Sequence, residues 1–151
     1  VENYVEVYNG VTGRDVSADD LIEMSERVYN FQRVFNIRLG KGLRANDAIP
    51  YRSAGPVTAA EYRSRADRYD AQLREWLVLN PEEMSLEEKM AAHRRYRMAQ
   101  YEKLTDAVYA RRGWTMNGVP TPETLRKLGI DYPEVLAVVE DHLGGPASSS
   151  D

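Results

Sequence analysis

The most chemically suggestive run in the sequence is His93-Arg94-Arg95-Tyr96-Arg97, in which four of five side chains can carry a positive charge. Such a run could grip a phosphate or a nucleic acid. Glu87, Glu88, Glu102 and Asp106 flank it at spacings where a helix pairs opposite charges, however. The spacing therefore predicts a solvated, ion-paired face with His93 as a structural residue. Carboxylate pairs occur at Asp19-Asp20, Glu82-Glu83 and Glu87-Glu88. Each falls at an expected helix start, where the macrodipole alone accounts for an acid. Gly40-Lys41-Gly42 is too short for a phosphate loop and has no strand before it. The sequence has no cysteine and only two histidines, His93 and His142, so it offers no thiolate or histidine-rich metal site. Residue types alone reveal no active site: catalytic none, cofactor-binding none, metal none.

The arginines of the first long helical segment are less easily dismissed. Arg27, Arg33 and Arg38, joined by Asn30 and Asn36, fall between apolar positions where a surface helix would ordinarily carry lysine and glutamate. Lys41 is the only lysine before Lys89. A guanidinium makes planar, multi-donor contacts and suits packed interfaces better than an ammonium. Arg44 and Arg52 extend the bias into the following loop. Two readings stand here: carbonyl capping with intrahelical pairing, and docking against another protein surface.

The elements that must position these residues read as helices throughout. Ser17 with Asp20 caps a start, and Leu21, Met24, Val28, Phe31 and Phe35 then recur at helical steps as one apolar stripe, the expected core face. Gly40 and Gly42 end that helix, and a Gly- and Pro-punctuated loop runs to Val57. Thr58 to Glu61 forms a capping box opening a helix with the stripe Tyr62, Ala66, Tyr69, Leu73 and Trp76, broken at Asn80-Pro81. Ser85 to Glu88 is a third box, opening a helix to about Arg112. Short helices follow Thr121-Pro122 and Pro133. The expectation is an all-α, helical bundle-like fold with a long antiparallel helical hairpin. Residues 1–151 should form a single helical domain, with 144–151 as a flexible tail.

Composition supports a folded and well-charged chain. The 151 residues include 20 basic and 24 acidic side chains, a net charge of −4, which argues against a nucleic-acid binder held by phosphate neutralisation. No apolar run approaches the ~20 residues of a membrane helix and no signal-peptide pattern opens the chain, so the expected location is cytoplasmic, with no membrane and no nucleic acid as partner. Val1 in place of a methionine fits a piece excised from something longer.

Three blocks then stand out in order: Tyr8-Asn9-Gly10-Val11-Thr12-Gly13; the run Glu26 to Gly40 with its spaced Arg27, Asn30, Arg33, Phe35, Asn36 and Arg38, continuing to Arg44, Asp47, Pro50 and Arg52; and Tyr109 to Trp114 followed by Gly118-Val119-Pro120-Thr121-Pro122 and Leu128-Gly129. Together, over about residues 4 to 130, they resemble the C-terminal helical region of the aldehyde ferredoxin oxidoreductase (tungsten-pterin) family. The helical hairpin between Thr58 and Asp106 resembles a longer branch of it, which includes relatives acting on aromatic acyl-CoA substrates. The resemblance implies a parent oxidoreductase that converts an aldehyde to a carboxylic acid and passes electrons through an iron–sulfur cluster to ferredoxin. It implies a tungsten (or molybdenum) bis-pterin and a four-iron, four-sulfur (4Fe-4S) cluster in that parent, with no cofactor in this cysteine-free chain. This piece would then be structural and inactive alone, its partners the remaining domains of the parent enzyme and, through the parent, ferredoxin. The implied docking surface comprises Arg33, Asn36, Arg38, Arg44 and Arg52, exposed in the isolated chain yet apolar around its arginines. The alternative is a stand-alone helical protein–protein interaction module.

Overall fold

The computed structural model describes residues 1–143, so the tail expected over 144–151 lies outside the described residues. Seven α-helices make up the described chain: α1 (Glu2–Thr12), α2 (Ala18–Arg38), α3 (Ala59–Arg63), α4 (Ala66–Leu77), α5 (Leu86–Arg112), α6 (Pro122–Lys127) and α7 (Pro133–Leu143). No β-strand occurs among the described residues beyond an isolated bridge between Trp114 and Pro120. The fold is all-α, as the helix punctuation predicts. No described helix is long and apolar enough to cross a membrane.

The helix starts follow the sequence closely. Ser17 Oγ accepts the Asp20 N–H at 3.1 Å while the Asp20 carboxylate takes the Ser17 N–H at 2.8 Å, a reciprocal capping box. Ser85 and Glu88 repeat the arrangement before α5. Thr58 caps α3, but Glu61 reaches back to the Val57 N–H. The helix expected to run unbroken from Thr58 is interrupted at Ser64-Arg65. There Arg65 leaves the helical region, at φ −139° and ψ 31°, its N–H donating to the Tyr62 carbonyl and the Ser64 hydroxyl to the Glu61 carbonyl.

The described chain divides into two compact units. The first comprises residues 1–47 and those from Tyr109 onward. Its core gathers Val34 and Ile37 of α2 with Val119, Leu125 and Leu128, Ile130, and Val135 and Val139 of α7. Between α1 and α2, the Asn9 carboxamide bonds both the N–H and the carbonyl of Val16, acting like one rung of a sheet and fixing the connection. The face of α2 turned inward is Asn30, Arg33, Val34 and Ile37. The apolar stripe expected to be core is turned the other way: Val28 is 59 %, Phe31 46 % and Phe35 54 % exposed. The helix is rotated from its sequence-based orientation because its two buried polar residues find partners inside, as described below.

The second unit spans residues 48–108. Here α4 turns back through a short 3-10 turn at Pro81–Glu83 into α5, giving the helical hairpin. Tyr62 and Tyr69 stack at 5.0 Å between ring centres, and His93 meets both rings edge-on. The Tyr62 hydroxyl donates to Asp70 at 2.6 Å, and Lys89 pairs with Asp70 at 3.1 Å. Arg94 donates to the carbonyls of Tyr51 and Pro56, and its guanidinium lies 3.6 Å from the Tyr51 ring centre. Arg97 lies over Trp76. The basic run of the sequence is thus split: His93 is interior, and Arg94 and Arg97 serve carbonyls and rings.

His93 is fully buried, with Nε2–H donating to the Tyr69 carbonyl and Nδ1 finding no partner among the described residues. Burial pushes its pKa down; the Tyr69 bond and Asp70 oppose that shift, and Arg97 adds to it. An unfolded histidine takes a proton at a pKa of about 6.5, so stability is complete above that pH and falls as the pH drops toward the lower folded value. Hydrogen exchange of α4 between about pH 7.5 and pH 5 should show this acid-side loosening. The slope should flatten in His93→Gln; an unchanged slope would remove His93 as its source.

Candidate functional site

Arg33 and its neighbours form the densest polar assembly of the first unit. The Arg33 guanidinium, 8 % exposed, bonds both carboxylate oxygens of Asp47, Nη1 to Oδ1 at 3.0 Å and Nη2 to Oδ2 at 2.7 Å. Its Nε–H donates to the Gly118 carbonyl at 2.9 Å. The Tyr109 hydroxyl donates to Asp47 Oδ2 at 2.5 Å. The Trp114 ring lies under the guanidinium carbon at 4.7 Å. Two parallel bonds to a carboxylate, one to a carbonyl and a ring face satisfy the cation on every side, and only a planar guanidinium can do this.

Electrostatics follow from the packing. Burial disfavours the Arg33 charge, yet the bonds and charge of Asp47 more than offset this and raise its pKa. The Arg33 hydrogen bonds hold Asp47 below the usual carboxylate range, against a smaller effect of burial and with help from Tyr109. Burial and the Asp47 contact push the Tyr109 hydroxyl up to about 12. Each group is held in its resting charge state near neutral pH, which suits a structural clamp and not proton transfer.

The sequence folds locally to deliver these groups. Asp47 ends a 3-10 turn, Arg44–Asp47, which follows a tight approach to α2. Gly42 has φ +96°, and a Cβ there would meet Asn36 Cβ at 3.0 Å and the Ile37 nitrogen at 3.2 Å. Asn46 Oδ1 accepts from the N–H groups of Gly42 and Leu43 and so shapes the turn. Gly118 has φ +79°, and a Cβ there would run into the Arg33 guanidinium and the Tyr109 hydroxyl. Beside the clamp, Trp114 Nε1–H donates to Asn30 Oδ1 at 2.7 Å, and the Asn30 amide donates to the Glu26 carbonyl. Arg27 Nε–H caps the Leu128 carbonyl at 2.7 Å. Arg112 lies over the Tyr29 ring at 4.0 Å.

The five residues expected on a docking surface have different fates. Arg33 is interior for the reasons just given. Asn36 and Arg38 are exposed on α2. Arg44 is half-buried, bonding the Met116 carbonyl and facing the Tyr109 ring. Arg52 belongs to the second unit and is largely exposed, 3.9 Å from Glu61. Around Arg38 the surface is apolar: Phe31, Phe35, Tyr132 and Val138 line a groove of about 220 Å³ with it. Sequence reasoning missed Asp47, Tyr109 and Trp114 as partners of Arg33 and Asn30. Their signal was present in the motif blocks, though not in any spacing rule.

No group of three or more His, Asp or Glu side chains that could hold a metal occurs among the described residues. Without cysteine, the chain's donor set does not fit an iron–sulfur cluster.

Residues 1–130 match the family model described as "Aldehyde ferredoxin oxidoreductase, domains 2 & 3". Among curated proteins, the chain is 24 % identical over 131 residues to a tungsten-containing aldehyde ferredoxin oxidoreductase of Pyrococcus horikoshii. It is 23 % identical over 131 residues to that of Pyrococcus abyssi. Each alignment covers 86 % of this chain and 16 % of the relative, so the chain spans about a sixth of their length. No solved structure matches it.

Breaking the clamp from one side strands a buried charge. Arg33→Ala should lower unfolding stability by about 3 kcal/mol, and Arg33→Lys should recover only part of this, because an ammonium cannot span both Asp47 oxygens and Gly118. Gly118→Ala should cost about 2 kcal/mol or more from left-handed backbone strain and the clash. Denaturant midpoints measure each; wild-type midpoints for both arginine variants would contradict the clamp.

Proposed function

The chain belongs to the aldehyde ferredoxin oxidoreductase family, in the region of its domains 2 and 3, and from that premise we propose that it is a structural, C-terminal helical part of a tungsten-dependent oxidoreductase. The proposed reaction of the whole is two-electron oxidation of an aldehyde, with water, to a carboxylic acid, ferredoxin accepting the electrons in the cytoplasm. The match over residues 1–130 carries this reading. The longer hairpin of the second unit keeps an aromatic acyl-CoA substrate as the alternative substrate class.

Within that whole, the iron–sulfur cluster would be held by polypeptide outside these residues, since the chain has no cysteine to ligate it, and the tungsten-pterin is proposed to lie with that same polypeptide. The chain's own contribution is shape. The Arg33 clamp fixes α2, the Asp47 turn and the Gly118 turn as one piece. A fixed piece of this kind can wall one side of a cofactor cavity and brace the segment that carries the cluster ligands. Asn36, Arg38 and Arg44 of the first unit and Arg52 of the second are the proposed polar contacts to the remaining domains.

The protein purified as its gene encodes it should contain tungsten and iron and should reduce ferredoxin when an aldehyde is added. A metal-free product of 17.2 kDa, the mass of this chain alone, would overturn the reading and leave a stand-alone helical interaction module.

A further inference from the structure

The sequence contains two phenylalanines, and both stand half-exposed on the outer face of α2, between Val28 at 59 % and Leu39 at 58 % exposure. Core helices spend their phenylalanines inward, and completing the burial of each such ring stabilises by about 1 kcal/mol. Next to them lies the groove between α2 and α7, lined by Phe31, Phe35, Arg38, Tyr132, Glu134 and Val138. Its volume of about 220 Å³ is below the ~300–1,000 Å³ usual for small-molecule pockets and of a size for inserted side chains. Arg38 and Glu134 stand at it with no side-chain partner among the described residues. A segment entering the groove therefore meets an apolar floor with the Arg38 cation and the Glu134 anion at it.

We infer that this groove and the Val28-Phe31-Phe35-Leu39 stripe form the seat for a segment of the same family polypeptide lying outside these residues, an apolar stretch with one or two bulky side chains and an acidic group placed for Arg38. This rests on the reading of the chain as part of a longer oxidoreductase. The relatives, six times longer, supply the length of chain from which the occupant comes. The residues from Gly144 onward, Gly-Gly-Pro-Ala-Ser-Ser-Ser-Asp, have no bulky apolar side chain to fill the groove. The seat shares Arg38 with the polar contacts proposed above and adds to them an apolar floor built from α2, Tyr132 and α7.

The test is the double variant Phe31→Ala/Phe35→Ala in the protein as its gene encodes it. Alanine is the best helix former, and both rings are half in water, so α2 itself should not suffer. The expected result is limited proteolysis that releases a piece containing α2 about tenfold faster than in wild type, with an unchanged oligomeric state by size exclusion. Arg38→Glu should act in the same direction. Wild-type proteolysis in both variants would overturn the inference, as would a change of oligomeric state, which would assign the groove to a second copy. The wild-type mass separates the two failures: a 17.2 kDa product refutes the longer parent, whereas a longer product with insensitive variants refutes only the seat.

Discussion

Taking a guanidinium into the interior of a small helical protein is favourable only when every donor and the charge itself are answered. Arg33 meets that condition through Asp47, Gly118, Tyr109 and Trp114, which come from three separate stretches of the sequence. A charge left unpaired at such depth would cost several kcal/mol. The pairing therefore determines where the Asp47 turn, the end of α5 and the Gly118 turn must lie. Gly118, at positive φ, follows from the same demand for space, whereas Gly42 makes room for α2 itself at Asn36 and Ile37.

The orientation of α2 is a consequence of this. With Asn30 and Arg33 drawn inward to Trp114 and Asp47, the Val28-Phe31-Phe35 stripe has only the outside to face. A helix that satisfies its polar residues internally and leaves its largest apolar ones in water has the pattern of an element meant to be covered on two sides. The matched region is about a sixth of the relatives' length, and the proposed cover is drawn from the remainder.

Helix boundaries were legible because they depend on local chemistry: Ser17 with Asp20, Ser85 with Glu88 and Thr121 before Pro122 each act within one turn. The break at Ser64-Arg65 was not, since it falls inside an otherwise continuous stripe with no glycine or proline to mark it. The inward face of α2 was misread for a more general reason. Periodicity assumes that apolar residues face the core, and Arg33 reverses this through a partner 14 residues away and others more than 70 away. The arginine bias itself was readable; which arginine was interior and which was outward required three-dimensional pairing. The motif blocks of the resemblance carried that information without showing it, since Asn30, Arg33, Asp47, Tyr109, Trp114 and Gly118 all lie within them.

The central claim is that α2 is held on one face by the Arg33 clamp and covered on the other by the rest of the family polypeptide. Oxidative footprinting of the native protein reads both faces at once. The account predicts that Phe31 and Phe35 are protected as strongly as the buried Trp114. Oxidation of both phenylalanines at the rate of the denatured chain, with Trp114 still protected, would contradict it.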